Sequence, residues 1–176
     1  NFGWCNLSGY NLMGVYFFAA SMQKVLLTAC EISFSDFRYA NLDHAGLERV
    51  RAYKTNFNNS NLVFANFSGA YIEYSSFTSS IMNSANFNGA KAENCIFITV
   101  NLLEADFRNS ELRGSDFTGS NLQGILVNTN SDFRAVNLTG ASLSAALDTK
   151  AEFIAAVGAG NVDASTIWID GTSILA

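Results

Sequence analysis

From Phe2 to Val127 every fifth residue is apolar, in a series that opens Phe2, Leu7, Leu12, Phe17, Met22 and closes Phe117, Leu122, Val127 without a polar member. The chain is 49% hydrophobic, so 26 such positions in succession have a chance probability of about 10⁻⁸. A period of five is neither the 3.6 of an α-helix nor the 2 of a strand. A unit this short cannot bury its apolar residue alone, and stacking on neighbouring units in a solenoid is the arrangement that does.

Two residues before each centre stands a second inward position. From Cys5 to Ile125 it holds Ala, Ser, Cys, Thr or Val, with Tyr10 and Ile125 the exceptions. A small side chain there lets a narrow tube close around the larger one. The residue just before the centre is often Asn or Asp: Asn6, Asn11, Asp36, Asn41, Asn56, Asn61, Asn66, Asn86, Asn101, Asp106, Asp116 and Asn121. These short side chains hydrogen-bond to nearby backbone and favour turns. Taking every fourth centre gives Phe17, Phe37, Phe57, Phe77, Phe97 and Phe117, whereas the series Leu12, Ile32, Ala52, Ile72, Ala92, Leu112 contains no Phe. Two columns that differ so sharply at a spacing of twenty are what four fixed faces produce.

The units Ala40-Asn41-Leu42-Asp43-His44, Ala65-Asn66-Phe67-Ser68-Gly69, Ala85-Asn86-Phe87-Asn88-Gly89 and Ala105-Asp106-Phe107-Arg108-Asn109 resemble the A-(D/N)-L-x-x consensus of the pentapeptide-repeat family. The resemblance implies an all-β fold, a right-handed quadrilateral β-helix with four units per coil. About seven coils at about 4.8 Å each make a rod roughly 34 Å long. The chain has no proline, in keeping with a tube whose ladder needs every backbone donor.

One extra residue in Asn128-Thr129-Asn130-Ser131-Asp132 shifts the register to Phe133, Leu138 and Leu143 and predicts a bulge or short loop. Beyond Ser144 the pattern stops. A short helix is expected after Asp148 or Thr149 as N-cap, ending at Gly158, with Val162, Ile167, Trp168 and Ile169 in irregular chain. The expected division is a β-helix over 1–143 and a C-terminal cap over 144–176 that covers the open end of the tube. Because Asn1 falls inside repeat-like sequence, a processed or trimmed start is expected, and a missing N-terminal segment would then cover Trp4, Tyr10, Tyr16 and Phe18.

Ten basic and fifteen acidic residues give a net charge of −5, which disfavours direct nucleic-acid binding. No apolar run approaches the length of a membrane span, so membrane insertion is not expected. Cys5, Cys30 and Cys95 occupy the small inward position on different faces, and free buried thiols are expected. That leans weakly toward the cytoplasm, while the family resemblance also admits a thylakoid lumen. The single histidine, His44, is outward and has no Cys or His at metal-ligand spacing. The glycines sit at corners, and none opens a phosphate loop. A filled tube leaves no ligand cavity, so no catalytic residue, cofactor or metal is assigned.

Function is therefore expected on the outer faces. The column Asn41, Asn61, Ile81, Asn101, Asn121 reads as an amide ladder. The column Glu31, Arg51, Tyr71, Lys91, Glu111, with Lys54, Glu73, Glu93 and Arg113 beside it, reads as a salt-bridge lattice. Val63, Ile81, Ile96, Ile98 and Leu103 are apolar where polar residues are expected and make the candidate partner-binding patch. Phe34, Tyr39, Tyr53, Phe64, Tyr71 and Tyr74 continue an aromatic surface onto other faces. Phe153, Ile154, Val157 and Trp168 are candidates for a cap or a homodimer contact, and a terminal coil is another possible dimer surface.

The preferred expectation is a non-catalytic protein-interaction scaffold with a protein partner. The alternative that the resemblance implies is a DNA-like rod that binds DNA gyrase and protects it from quinolones. Against it, outward charges on the four faces sum to only about −1, 0, 0 and −1, far from the acidic strip a basic groove would select. Ice binding would need a regular threonine ladder, and the nearest column runs Phe18, Arg38, Asn58, Thr78, Ile98, Thr118.

Overall fold

The fold follows from where the five backbone N–H groups of each unit find acceptors. Around Phe37, the N–H groups of Phe37 and Tyr39 donate one coil ahead, to Asn56 O at 2.7 Å and Asn58 O at 3.1 Å. Asp36 donates one coil back, to Val15 O at 3.0 Å, and Ala40 closes a tight turn on Phe37 O at 3.0 Å. The fifth donor, on Arg38, has no backbone acceptor and is taken by the Asp36 carboxylate at 3.0 Å. The Asn or Asp before the centre fills this role at every one of the positions singled out from sequence, from Asn6 to Asn121. Buried or half-buried backbone donors need partners, and this side chain supplies the last one.

A computed structural model describes residues 1–143, 147, 149–163, 165–170 and 172–175. Parallel bridges from Asn6↔Leu26 to Asp106↔Leu126 join residues twenty apart, so the chain winds as a coil of four five-residue sides. At each corner the second residue after the centre has positive φ, without exception from Trp4 to Gly124.

Inside, the Phe17–Phe117 column stacks with ring centroids 4.6 to 5.1 Å apart. A second column on the opposite face, Phe67, Phe87 and Phe107, stacks at 5.0 and 4.9 Å. Between Phe57 and Phe117 the two columns meet edge to face, at 84–90° and 5.8 to 6.4 Å. The columns thus interlock across the tube, an arrangement the ring quadrupole favours. The small inward positions also carry hydrogen bonds. Ser35, Thr55, Cys95 and Ser115 donate from their hydroxyl or thiol to carbonyls of the preceding coil, Leu12 O, Ile32 O, Ile72 O and Ala92 O, at 2.6 to 3.0 Å. Ser75 makes the same bond to Ala52 O.

The extra residue lies where the sequence placed it. Beyond it the spacing changes to 21, with bridges Glu111↔Asp132 and Asp116↔Asn137. Strand β1 (Asn121–Leu122) pairs in parallel with β2 (Ser142–Leu143) in the same register. Helix α1 (Lys150–Val157) begins at Thr149, which forms a capping box with Glu152, and ends at Gly158. Ser144 and Asp148, named as the end of the pattern and the other candidate cap, lie outside the described residues.

The tail is more regular than expected. Phe133 N–H donates to Asn161 O, Leu138 to Ile167 O and Gly140 to Ile169 O, at 2.7 to 2.8 Å, and Ile167 donates back to Val136 O at 2.7 Å. These are the bonds of an ordinary coil, with Val162 and Trp168 in the central positions, both 5% exposed. Two sides of a further coil therefore stack on the last one, and α1 stands in for the rest. Phe153 of α1 packs edge-on to Phe133 at 5.0 Å and to Trp168 at 5.5 Å.

Phe77 is fully buried and stacked on both sides. Phe77→Ala is expected to cost about 3–5 kcal/mol, read as a lowered midpoint of denaturant unfolding. An unchanged midpoint would contradict the interlocked core.

Candidate interaction surface

With the interior occupied by side chains, the outer faces carry whatever chemistry the rod presents. His44 stands on one of them, with Nδ1 2.9 Å from the Asp43 carboxylate and its ring 4.8 Å from Phe64. Among the described residues no cluster of three or more His, Cys, Asp or Glu could hold a metal ion. A half-open crevice of about 380 Å³ lies between Glu93, Asn94, Arg113, Gly114 and Ala135.

The salt-bridge lattice expected around Glu31, Arg51, Tyr71, Lys91 and Glu111 is reduced to a single pair, Lys91–Glu111 at 3.6 Å. Arg51 lies over the Tyr71 ring at 5.6 Å and Lys54 over Tyr53 at 5.3 Å, so these cations sit on aromatic faces. The tight ion pairs are elsewhere and within single units: Asp36–Arg38 and Asp106–Arg108 at 2.6 Å, and Asp132–Arg134. Their cause is local. The aspartate that accepts the backbone N–H two residues on is held beside that same residue's side chain, and an arginine there closes a bidentate fork.

Hydrogen bonds from Arg38 hold the Asp36 carboxyl below its ordinary range. At Asp106 and Asp132 burial pushes upward, but the bonds from Arg108 and Arg134 outweigh it and both carboxyls are lowered. Burial pushes the Cys95 thiol well up, and that of Cys30 as well. Cys5 departs from expectation: it is free like the others but exposed.

The amide ladder is present in two pieces. Asn61 donates to Asn41 at 3.2 Å and Asn121 to Asn101 at 3.0 Å, with Ile81 interrupting between them. The five-residue apolar patch does not form as one surface. Val63, Ile98 and Leu103 are half-buried, and only Ile81 and Ile96 are exposed, at 48% and 40%. In the ladders Ile81 lies between Asn61 and Asn101, and Ile96 between Ser76 and Asp116, so they stand on two adjoining faces. In the tail, Phe153, Val157 and Trp168 are buried in the cap and Ile154 is half-buried, so the first three present no surface to a second copy.

A feature that the sequence left scattered is drawn together instead. Phe34, Tyr53 and Tyr74 form a continuous edge-to-face strip down one corner, with centroids 5.6 and 5.5 Å apart. The signal was available in their near-twenty spacing at the two outward positions after the aliphatic column. On a neighbouring face Phe18 and Tyr39 pair at 5.4 Å, with Arg38 over Phe18.

The sequence profile described as pentapeptide repeats matches residues 30–63, 60–98 and 85–124, in eight copies. That is more than half of the 176 residues, and the chain belongs to the pentapeptide-repeat family, with its right-handed quadrilateral β-helix. No curated protein sequence matches the chain. Solved structures similar to it include HetL, a pentapeptide repeat protein involved in heterocyst differentiation regulation from the cyanobacterium Nostoc sp. strain PCC 7120. That match is 16% identical, covers 98% of this chain and 93% of that one, and has a TM-score of 0.36. A pentapeptide repeat protein from the Arabidopsis thaliana thylakoid lumen is 21% identical over 67% of this chain and 68% of its own, with a TM-score of 0.40. Full-length QnrB1, a plasmid-mediated fluoroquinolone resistance protein, is 14% identical over 80% and 87%, with a TM-score of 0.33.

Two measurements check this description. In the native protein a maleimide reagent should label Cys5 and spare Cys30 and Cys95, and all three should react once the protein is unfolded; native labelling at Cys95 would contradict its buried, hydrogen-bonded thiol. Lowered carboxyl pKa values mean that the folded state binds fewer protons than the unfolded one. Their contribution is therefore complete above the unfolded value of about 3.9 and is lost as pH falls through the folded values. The unfolding midpoint should hold to about pH 5 and drop below about pH 4, less steeply in an Arg38→Gln, Arg108→Gln, Arg134→Gln variant.

Proposed function

We propose that this protein is a non-catalytic interaction scaffold that binds a protein partner through an outer face of the rod. The observation that supports it is a contrast in packing. The central side chains of the coils from Met22 to Phe117 are at most 1% exposed, while large apolar residues stand outward on the same backbone at 40–81% exposure, among them Tyr16, Phe34, Ile81 and Ile96. An isoleucine already about half covered gains about 1 kcal/mol when a partner covers the rest, and the ladder holds it in place beforehand, so little ordering entropy opposes binding. Ile81 and Ile96 are the residues of the original patch that remain available for this.

The DNA-like, gyrase-binding reading has the length of the coiled rod in its favour. Its weakness is charge, since Asp36, Asp106 and Asp132 are each neutralised by an arginine of the same unit.

Affinity capture with the immobilised protein, in parallel with a gyrase supercoiling assay, tests both. The expected result is a discrete protein partner whose recovery falls in an Ile81→Ser, Ile96→Ser variant or in a variant of the aromatic corner, with supercoiling unaffected. Partner recovery unchanged in both variants would overturn the scaffold reading, and inhibition of supercoiling would replace it with the DNA-like one.

A further inference from the structure

We propose that the face carrying Tyr71, Lys91 and Glu111 is the contact surface of a homodimer. A second copy of this chain packs on it face to face and antiparallel, about a two-fold axis that passes between the coils of Lys91 and Glu111. The inference stands apart from the scaffold reading, since Ile81 and Ile96 lie on other faces. It rests on the order of side chains along three outward columns. Directly after the centres run Glu73, Glu93, Arg113 and Arg134, set in line by ladder bonds such as Tyr74 N–H to Glu93 O at 3.0 Å and Asn94 N–H to Arg113 O at 2.9 Å. Directly before the centres run Tyr71, Lys91, Glu111 and Asp132. The corner runs Tyr74, Asn94, Gly114 and Ala135.

A two-fold axis lying across the rod sets each column against itself in reverse order. The first column reads acid, acid, base, base, so Glu93 meets Arg113 of the copy and Glu73 meets Arg134, each pair occurring twice. The second sets Lys91 against Glu111 and lets the Tyr71 hydroxyl donate to the Asp132 carboxylate. The corner sets large against small: Tyr74, 51% exposed, enters the half-open crevice of about 380 Å³ over Gly114 and Ala135. The outer coils continue the match. Arg51, Tyr53 and Lys54 come opposite Asn161 and Asp163, which take the corresponding places in the coil beyond Phe133, and Glu31 lies beyond the overlap. From Arg51 to Asp163 these columns hold five basic and five acidic residues, so net charge neither draws nor repels a copy and order alone decides the register. Sliding by one coil sets Glu93 on Glu93 or Arg113 on Arg113, and sliding by two sets Glu73 on Glu93 or Arg113 on Arg134. A parallel pair would set the Tyr74 corner against the opposite edge of the face and leave the crevice unfilled. In the single chain Glu73, Glu93 and Arg113 form no ion pair among the described residues. The ladder holds their backbones in line beforehand, which lowers the ordering cost of pairing.

The test is sedimentation velocity on the purified protein over a concentration series. A reversible dimer is expected, its dissociation constant rising at least about tenfold between about 0.05 and about 0.5 M NaCl as the facing charges are screened. Glu93→Arg alone and Arg113→Glu alone should each weaken self-association at least about tenfold, because each puts like charges opposite one another twice. An equimolar mixture of the two variants should recover the dimer as a one-to-one pair, since every reversed charge then faces its opposite, and a folding defect would not be rescued by mixing. Thermal unfolding checks that each variant folds. The Ile81→Ser, Ile96→Ser protein should dimerise as the wild type does. A monomer throughout the series, a dimer indifferent to either charge reversal, or a mixture no better associated than its components would each overturn the proposal while leaving the scaffold reading intact.

Discussion

Everything in this molecule depends on how five backbone N–H groups per unit are satisfied within a narrow tube. Two donate forward one coil, one donates back, one closes the corner, and one is left over. The leftover donor explains the most conspicuous polar residue of the repeat. An Asn or Asp just before the centre reaches it without leaving its own unit, as at Asp36 and Arg38. Where that residue is missing, neighbours substitute: Asn58 takes the Thr78 N–H at 2.8 Å and Ser33 the Tyr53 N–H at 3.1 Å. The repeat is a hydrogen-bonding solution first, and its apolar period of five is the consequence.

Once the ladder fixes the cross-section, the core has little freedom. Opposite faces are close enough for a phenylalanine on one to touch phenylalanines on the other, so the two aromatic columns must interleave at right angles. Before Phe67 the second column is leucine (Leu7, Leu27, Leu47), and there Phe17, Phe37 and Phe57 stack with larger tilts of 23° and 17°. From Phe57 onward, where edges press on them, the tilts fall to 9° or less. Order in one column is imposed by the other. An interior filled this way leaves the outer side chains as the surface the rod presents.

The period of five, the twenty-residue coil and the inserted residue near Asn128 were all legible, because each leaves an arithmetic trace in the chain. The tail was not. Val162 and Trp168 follow Phe133 and Leu138 by 29 and 30 residues, since α1 is inserted before the winding resumes, and a search at spacing twenty passes them over. The apolar patch failed for a different reason. Val63, Ile98 and Leu103 follow their centres directly, where neighbouring coils half-cover a side chain, whereas Ile81 and Ile96 precede theirs and stay more open. Column position indicates which way a side chain points but not how much of it neighbours cover. The salt-bridge lattice failed because sequence shows charges and not their competitors. Arg51 and Lys54 had tyrosine faces within reach, and a guanidinium or ammonium over a ring keeps its water while gaining the quadrupole.

The corners connect stability to recognition. Each must turn through left-handed backbone, a conformation that costs an L-residue roughly 1–2 kcal/mol, and the ladder imposes it whatever side chain is present. Glycine removes that cost at Gly69, Gly89 and Gly119, yet Trp4, Phe34, Tyr39, Phe64 and Tyr74 keep large rings there. Those rings cannot withdraw into the tube, because the inward places belong to the centres and the small residues before them. They gain some contact by pairing along the corner, as Tyr53 does with both Phe34 and Tyr74, but remain half exposed or more. A corner residue that is large and open to solvent adds little burial to the folded coil. The geometry that makes the rod rigid is also what holds such residues out in fixed register, at intervals set by the ladder.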